Sequence, residues 1–230
     1  MYIKNINRMK IFIIGGTGIL GSELKKIDNE IICVGSEYDI YEFTKLKEKL
    51  DQENPDIIVN CCAIKSQNVD SNPILAINVN IIGSSNISKY CIKNNKRLVY
   101  ISTDYVYSGE TGNYSELDQL LPVNNYAWTK LSGEASTRLV NNHLIVRTSF
   151  GREFEHKKAY KNLYTSKDYV DIIAPMILKS IKSNFIGIIN IGTSKKNIYE
   201  YAKNRLKNVD YDFLRTSKDF SLNTKLYESL

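Results

Sequence analysis

A doubly wound α/β fold, one parallel sheet covered by helices on both faces, is what this sequence predicts, on three observations. Runs such as KIFIIG, DIIVN and RLVYIS are apolar throughout, as strands buried on both faces must be. Helical stretches separate these runs, the spacing of a parallel sheet. A glycine-rich turn, GGTGILGSEL, follows the first run directly and opens a helix.

The elements follow in order. KIFIIG is the first strand, with a short helix from about Ile19, then strand EIICV, a helix over Ile40 to Asp51, and strand DIIVN, a β-α-β-α-β unit. A long helix over Asn72 to Asn95 leads to strand RLVYIS, and a helix over Asn125 to Val140 leads to strand HLIVRTS. Beyond Gly151 the pattern is less regular. A helix over Asp168 to Ser183 contains Pro175, which predicts a kink or the true helix start; strand GIINIG and helix NIYEYAKNRLK complete the chain. With 230 residues the chain is long for one small domain and short for two. The expected division is a dinucleotide-binding portion over 1–151 and a small C-terminal portion over 152–230, partly interwoven with the sheet.

Composition narrows the function. The chain is 43% hydrophobic and 24% charged, ordinary for a soluble globular protein, and no apolar run is long enough to span a bilayer. MYIKNINR has neither an apolar core nor a small-residue cleavage site, so it reads as a short extension, and a cytoplasmic protein is expected. Cys33, Cys61, Cys62 and Cys91 lie in apolar segments without metal or disulfide spacing, which reads as reduced core thiols and no metal. Adjacent Cys61 and Cys62 on a strand point to opposite faces. A net charge of +6 raises nucleic acid as a partner, but the lysines are interleaved with acids and no base-stacking platform is evident. The densest cluster, Lys89, Lys93, Lys96 and Arg97, reads as a solvated helix end, and His143 and His156 as packed or exposed rings.

Two motifs carry chemistry. Gly15, Gly18 and Gly21, spaced GxxGxxG after a strand, let the backbone turn tightly and approach a pyrophosphate at a helix N-terminus, a Rossmann-type site. Tyr-x-x-x-Lys puts a phenol and an ammonium one helical turn apart. That spacing occurs three times, at Tyr41/Lys45, Tyr126/Lys130 and Tyr199/Lys203, so spacing alone selects none.

Together, GGTGILG, YDIYE, NCCAIK, INVNIIGSSNI and ISTDYVYSG resemble the successive marks of the extended short-chain dehydrogenase/reductases. STDYVYSG, YSELDQLLPVNNYAWTKLSGE, LIVRTSFG and SLNTKL are most similar to the dTDP-4-dehydrorhamnose reductases within them. The resemblance singles out Tyr126/Lys130, behind the fourth strand and downstream of Thr103. It implies a nucleotide-linked 4-keto-deoxysugar reduced by hydride from NADP or NAD, with Thr103, Tyr126 and Lys130 catalytic. It implies further that Gly15, Thr17, Gly18, Ile19, Leu20, Asp39, Ile40, Ala63, Ile64 and Lys65 hold the cofactor with Tyr126 and Lys130. Lys130 is expected to lower the Tyr126 pKa and Thr103 to donate to the carbonyl oxygen. Glu37 after the second strand suits a ribose 2'-hydroxyl and a reductive role suits NADP, so both forms stay open. A homodimer through the Asn72 and Tyr126 helices is also implied. Ala127, Phe150 and Lys65 stand where the reductases favour Gly, Trp and Thr, and the chain passes from Arg152 to Tyr164 without their longer sugar-binding stretch. An epimerase or dehydratase on the same scaffold, and an idle cofactor-binding regulatory subunit, are the alternatives.

Overall fold

The computed structural model describes residues 9–230; MYIKNINR lies outside the described residues. Six parallel strands form the central sheet: β1 Ile11–Ile14, β2 Ile32–Val34, β3 Ile57–Asn60, β4 Arg97–Ile101, β5 His143–Thr148 and β6 Gly187–Ile191. Their order is β6-β5-β4-β3-β1-β2, the doubly wound arrangement expected. The period of two along each strand divides the core between two layers. Ile11, Ile13, Ile57 and Val59 pack beneath helices α1 Ile19–Ile27 and α5 Val170–Lys182. Phe12, Ile14 and Ile58 pack on the other side with Leu46 and Leu50 of α2, Thr44–Glu53, and with Ile87, Tyr90 and Cys91. Phe12, Ile13 and Ile14 are wholly buried, each contributing about 1.5–3 kcal/mol as an upper figure.

The long helix expected over Asn72 to Asn95 is a rod, α3, of three joined pieces: Pro73–Ala76, a π-helical Ile77–Gly83 and Ser84–Lys93. Asn72 starts it, its side chain accepting from Leu75 N at 3.1 Å. The following helix, α4, spans Asn125–Thr137, with Asn124 accepting from Ala127 N at 2.8 Å. Pro175 neither starts α5 nor ends it. The helix begins at Val170 and runs through the proline, which has no N–H to give the Asp171 carbonyl.

The basic cluster is corrected. Arg97 belongs to β4, is buried, and donates to the Asn142 side chain at 2.7 Å and to Phe185 O at 2.8 Å. A strand that is apolar apart from its first residue buries that residue too when the sheet continues past it. The adjacent thiols follow the strand alternation, Cys61 packing with the α1/α5 layer and Cys62 with the other.

Residues 150–230 pack α5 against the central sheet, add β6 to its edge and fold otherwise into short pairings. Lys158–Tyr160 pairs with Asp210–Asp212, Leu163–Thr165 lies between Lys196–Asn197 and Lys218–Phe220, and Phe150–Gly151 pairs with Asp168–Tyr169. Helix α6, Ile198–Lys203, begins on a capping box made by Asn197 and Glu200.

Candidate active site

The carboxyl ends of β1, β3 and β4 form one rim of the sheet, where ligands of doubly wound folds bind. At the end of β1, Gly15 has φ +83°, and a Cβ there would lie 2.9 Å from Cys62 N. A Cβ on Gly21 would lie 2.6 Å from both Gly15 O and Gly16 Cα, so only glycine lets α1 come this close to the loop. Gly18, the N-cap of α1, makes no side-chain cap, and the first turn carries no acid. A Cβ on Gly18 would meet only Gly15 O within 4 Å, leaving the crest of the loop bare. An uncapped helix start behind bare backbone fits the pyrophosphate of a dinucleotide. Thr17 and Ile19 lie on this crest, Thr17 exposed and Ile19 half-buried, whereas the Leu20 side chain belongs to the core.

Asp39 and Ile40 follow β2. Asp39 accepts from Tyr41 N at 2.8 Å and Glu42 N at 3.2 Å, and Ile40 is buried against Gly83 of α3. Glu37 folds back so that its carboxylate accepts from Gly35 N at 2.9 Å, which pulls its pKa down. After β3 the half-buried Ala63 and Ile64 lead to Lys65, exposed at the start of a short helix.

Asn80, buried in the π-helical stretch of α3, fastens this loop to α4. Its side chain accepts from Ile64 N at 2.7 Å and donates to Ile64 O at 3.1 Å and to Thr129 Oγ1 at 2.9 Å. Thr129 in turn donates to Tyr126 O at 2.7 Å. Lys130, the next residue, is buried, with its ammonium 4.2 Å from the centre of the Tyr100 ring. Glu134, one turn on, accepts from Ser102 Oγ at 2.5 Å and pairs with Arg147 of β5 at 2.8 Å. These contacts tie the Tyr126/Lys130 helix to β3, β4 and β5. The other two Tyr-Lys pairs lie elsewhere: Tyr41 precedes α2, and Tyr199 and Lys203 sit on α6.

Thr103 is buried just past β4, where its Oγ1 accepts from Tyr105 N at 3.3 Å and meets Asp104 Oδ1 at 3.3 Å. The expectation that Lys130 lowers the Tyr126 pKa is corrected. Burial pushes the phenol up, and the charges of Asp104 and Tyr105 add to that. Lys130 is pushed down to about 8 by burial, against the charges of Cys61, Cys62 and Glu134. Burial also raises both thiols, Cys62 to about 11, so they are neutral near pH 7. The site thus holds a protonated phenol and, one turn further along α4, an ammonium that loses its proton easily.

Asn80, Asp104 and Glu134 stood inside motifs read for other residues. Their roles depend on partners 49, 1 and 13 positions away in the chain. Lys167, whose ammonium feels Asp104 and Glu155, carried no sequence signal at all.

The sequence profile described as the RmlD substrate binding domain matches residues 9–172. A probable low-salt glycan biosynthesis reductase of Haloferax volcanii is 32% identical over 160 residues, 62% of this chain and 53% of the relative. Methionine adenosyltransferase 2 subunit beta of Pongo abelii is 32% identical over 156 residues, 60% of this chain and 45% of the relative. The matches thus span about half the length of these two relatives. A crystal structure of a hypothetical dTDP-4-dehydrorhamnose reductase from Sulfolobus tokodaii superposes with a TM-score of 0.84 at 27% identity, over 96% of this chain and 94% of that one. Other structures of this fold were solved in complex with NADP or with NAD.

Proposed function

The chain belongs to the RmlD substrate binding domain family, among the extended short-chain dehydrogenase/reductases, and from that premise we propose that it is an NAD(P)-dependent reductase of a nucleotide-linked 4-keto-deoxysugar. One observation carries the reading: Thr103, Tyr126 and Lys130 stand on the sheet rim that also bears the bare glycine turn. A nicotinamide, when bound, supplies the hydride. Gly15, Thr17, Gly18 and the first turn of α1 hold the pyrophosphate, with Ile19 and Leu20 giving backbone N–H groups. Asp39, Ile40, Ala63, Ile64 and Lys65 border the adenosine half, and residues 152–230 house the sugar.

Tyr126 keeps its proton at neutral pH because burial raises it, so a phenol is available when negative charge grows on the substrate oxygen. Thr103 donates a second hydrogen bond to that oxygen. Lys130 stabilises the phenolate that remains, and its own value of about 8 lets it pass a proton back at modest cost. Asp104 is followed by Tyr105 rather than a second acid, which supports reduction over dehydration. Ile74, Ile77 and Ile82 of α3 and Trp128 of α4 are exposed, which supports a homodimer through these helices, to be read by sedimentation.

Tyr126→Phe tests the mechanism. The variant binds NADPH or NADH as the wild type does and loses about 10²–10⁴-fold in turnover on a panel of 4-keto sugar nucleotides. A variant as fast as wild type overturns the role of Tyr126. The resemblance to an adenosyltransferase subunit favours a second reading, a cofactor-binding regulatory chain. Cofactor binding by the wild type with no oxidation across the panel would select it.

A further inference from the structure

A threonine hydroxyl has one proton to give and two lone pairs to fill. At Thr103 one lone pair already receives Tyr105 N–H, and Asp104 Oδ1 stands 3.3 Å from the same oxygen. An ionised carboxylate only accepts. Facing one, the threonine must spend its single proton on Asp104 and has none left for a substrate oxygen. A protonated carboxyl reverses the bond: it donates to Thr103 Oγ1, fills the second lone pair, and frees the threonine proton. The two arrangements use the same atoms at the same separation.

We infer that Asp104 is a positioning residue that sets the direction of the Thr103 hydroxyl: ionised, it turns the threonine proton away from the substrate; protonated, it releases that proton toward the substrate oxygen. The inference rests on the reductase reading, since it needs a carbonyl for Thr103 to address. Asp104 takes its proton from solvent and passes none to the substrate; within the protein only the direction of one hydrogen bond changes.

The surroundings place both states within reach. Asp104 is 2% exposed, and burial pushes its carboxyl up to about 7, against the Lys167 ammonium and hydrogen bonds from Thr103, its own backbone and Ser149. Three elements face it. Tyr126 comes from α4, Tyr105 from its own turn, and Lys167 from the turn after Leu163–Thr165. Lys167 has no acid within ion-pair distance among the described residues; its ammonium lies 5.3 Å from the centre of the Tyr201 ring and also feels Glu155. The turn just beyond the stretch that is short in this chain thus supplies the cation that tunes Asp104.

The test has two arms. In the full chain without ligand, ¹³C-labelled aspartate should show one carboxyl titrating near neutrality, absent in Asp104→Asn and shifted upward in Lys167→Met. A midpoint below about pH 5 overturns the inference. In turnover, the asparagine amide keeps donating to Thr103 at every pH, so the ratio of Asp104→Asn to wild-type kcat/KM should rise about tenfold per pH unit above the midpoint. The ratio cancels the titration of Lys130, common to both. A ratio flat over about pH 6 to 9 overturns the inference. If Asp104→Asn does not fold, Lys167→Met carries the test: its alkaline limb moves upward, and an unmoved limb is a refutation. The carboxyl titration is read without substrate, so failure of the reductase reading through Tyr126→Phe leaves it intact. A low midpoint in a chain that does reduce keto-sugars sinks the inference alone.

Discussion

The central sheet and the small pairings of residues 150–230 are held together by different forces. Strands β1, β3 and β4 are buried from end to end, and their cohesion is apolar area removed from water. The later strands have two or three residues each, and side chains tie them: Asn162 exchanges hydrogen bonds with Leu214 at 2.7 and 2.8 Å, Thr193 and Lys196 meet Asp168 at 2.8 and 2.9 Å, and Lys195 pairs with Asp219. Apolar cohesion tolerates any residue of suitable size. Polar cohesion depends on particular atoms in particular places. Tyr126 and Lys130 stand on a helix tied to the first kind of scaffold.

The largest expected effect breaks this division from within. Glu134 and Arg147 form an ion pair inside the apolar region, each side chain only 1% exposed. Arg147 also donates to Tyr107 OH at 2.9 Å and to Glu116 O at 3.2 Å, so one guanidinium joins α4, β5 and the loop covering β6. Glu134→Ala leaves that cation buried without its acid and should cost about 3–5 kcal/mol in denaturant unfolding. A loss below about 1 kcal/mol would mean that water or relaxation replaces the acid, and that apolar packing alone holds α4.

Asp104 comes next. Its carboxyl binds a proton more tightly folded than unfolded, being near 7 rather than the ordinary ~4. Stability therefore falls as pH rises from the unfolded value through the folded one, and the full cost is felt above it. Asp104→Asn should gain on the wild type by about 2–3 kcal/mol between pH 5 and pH 8. An equal difference at both pH values would mean that Asp104 is ionised throughout.

The same contrast explains what the sequence could convey. All six central strands and the order of their helices follow from apolar runs and breakers, because burial writes itself into residue type. Tyr126, Lys130 and Thr103 were singled out in the sequence by their place relative to those strands. Arg97 was misread because a cation at the edge of an apolar run looks the same whether the sheet or solvent receives it. The direction of the Tyr126 shift was misjudged because adjacency to Lys130 is local, while burial and Asp104 are tertiary. Lys167 lies in a segment whose structure is set by polar partners far along the chain, and no periodicity records those.

Asp168 probes the polar region directly. Its carboxylate accepts from Thr193 Oγ1, Lys196 Nζ and Tyr169 N, partners that pull its pKa down although burial alone would raise it. The stabilisation is complete above the unfolded carboxylate value and is lost as pH falls through the depressed folded one. Asp219 and Asp212 are lowered in the same sense. Below about pH 4, amide exchange should therefore accelerate in Leu163–Thr165 and Lys218–Phe220 before it does in β1 or β3. Asp168→Ala should cost about 1–2 kcal/mol and show the same order at neutral pH. Simultaneous opening of both regions would remove the distinction between them.

The smallest effect belongs to the surface of the apolar region. On α2, Lys47 meets Asp51 at 2.6 Å, but both side chains are about half exposed, and the lysine precedes the acid, the less favourable order along a helix. Water screens the charges, and fixing two long side chains costs entropy. Asp51 keeps a second partner in any case, since Tyr90 OH donates to it at 3.0 Å from α3. What anchors α2 is Leu46 and Leu50, both wholly buried against the sheet. Lys47→Ala should thus shift unfolding by no more than about 0.5 kcal/mol, and less in molar salt. A loss above 1 kcal/mol that salt abolishes would show the helix leaning on its charges, and the apolar region would then share the polar logic of residues 150–230 even at its surface.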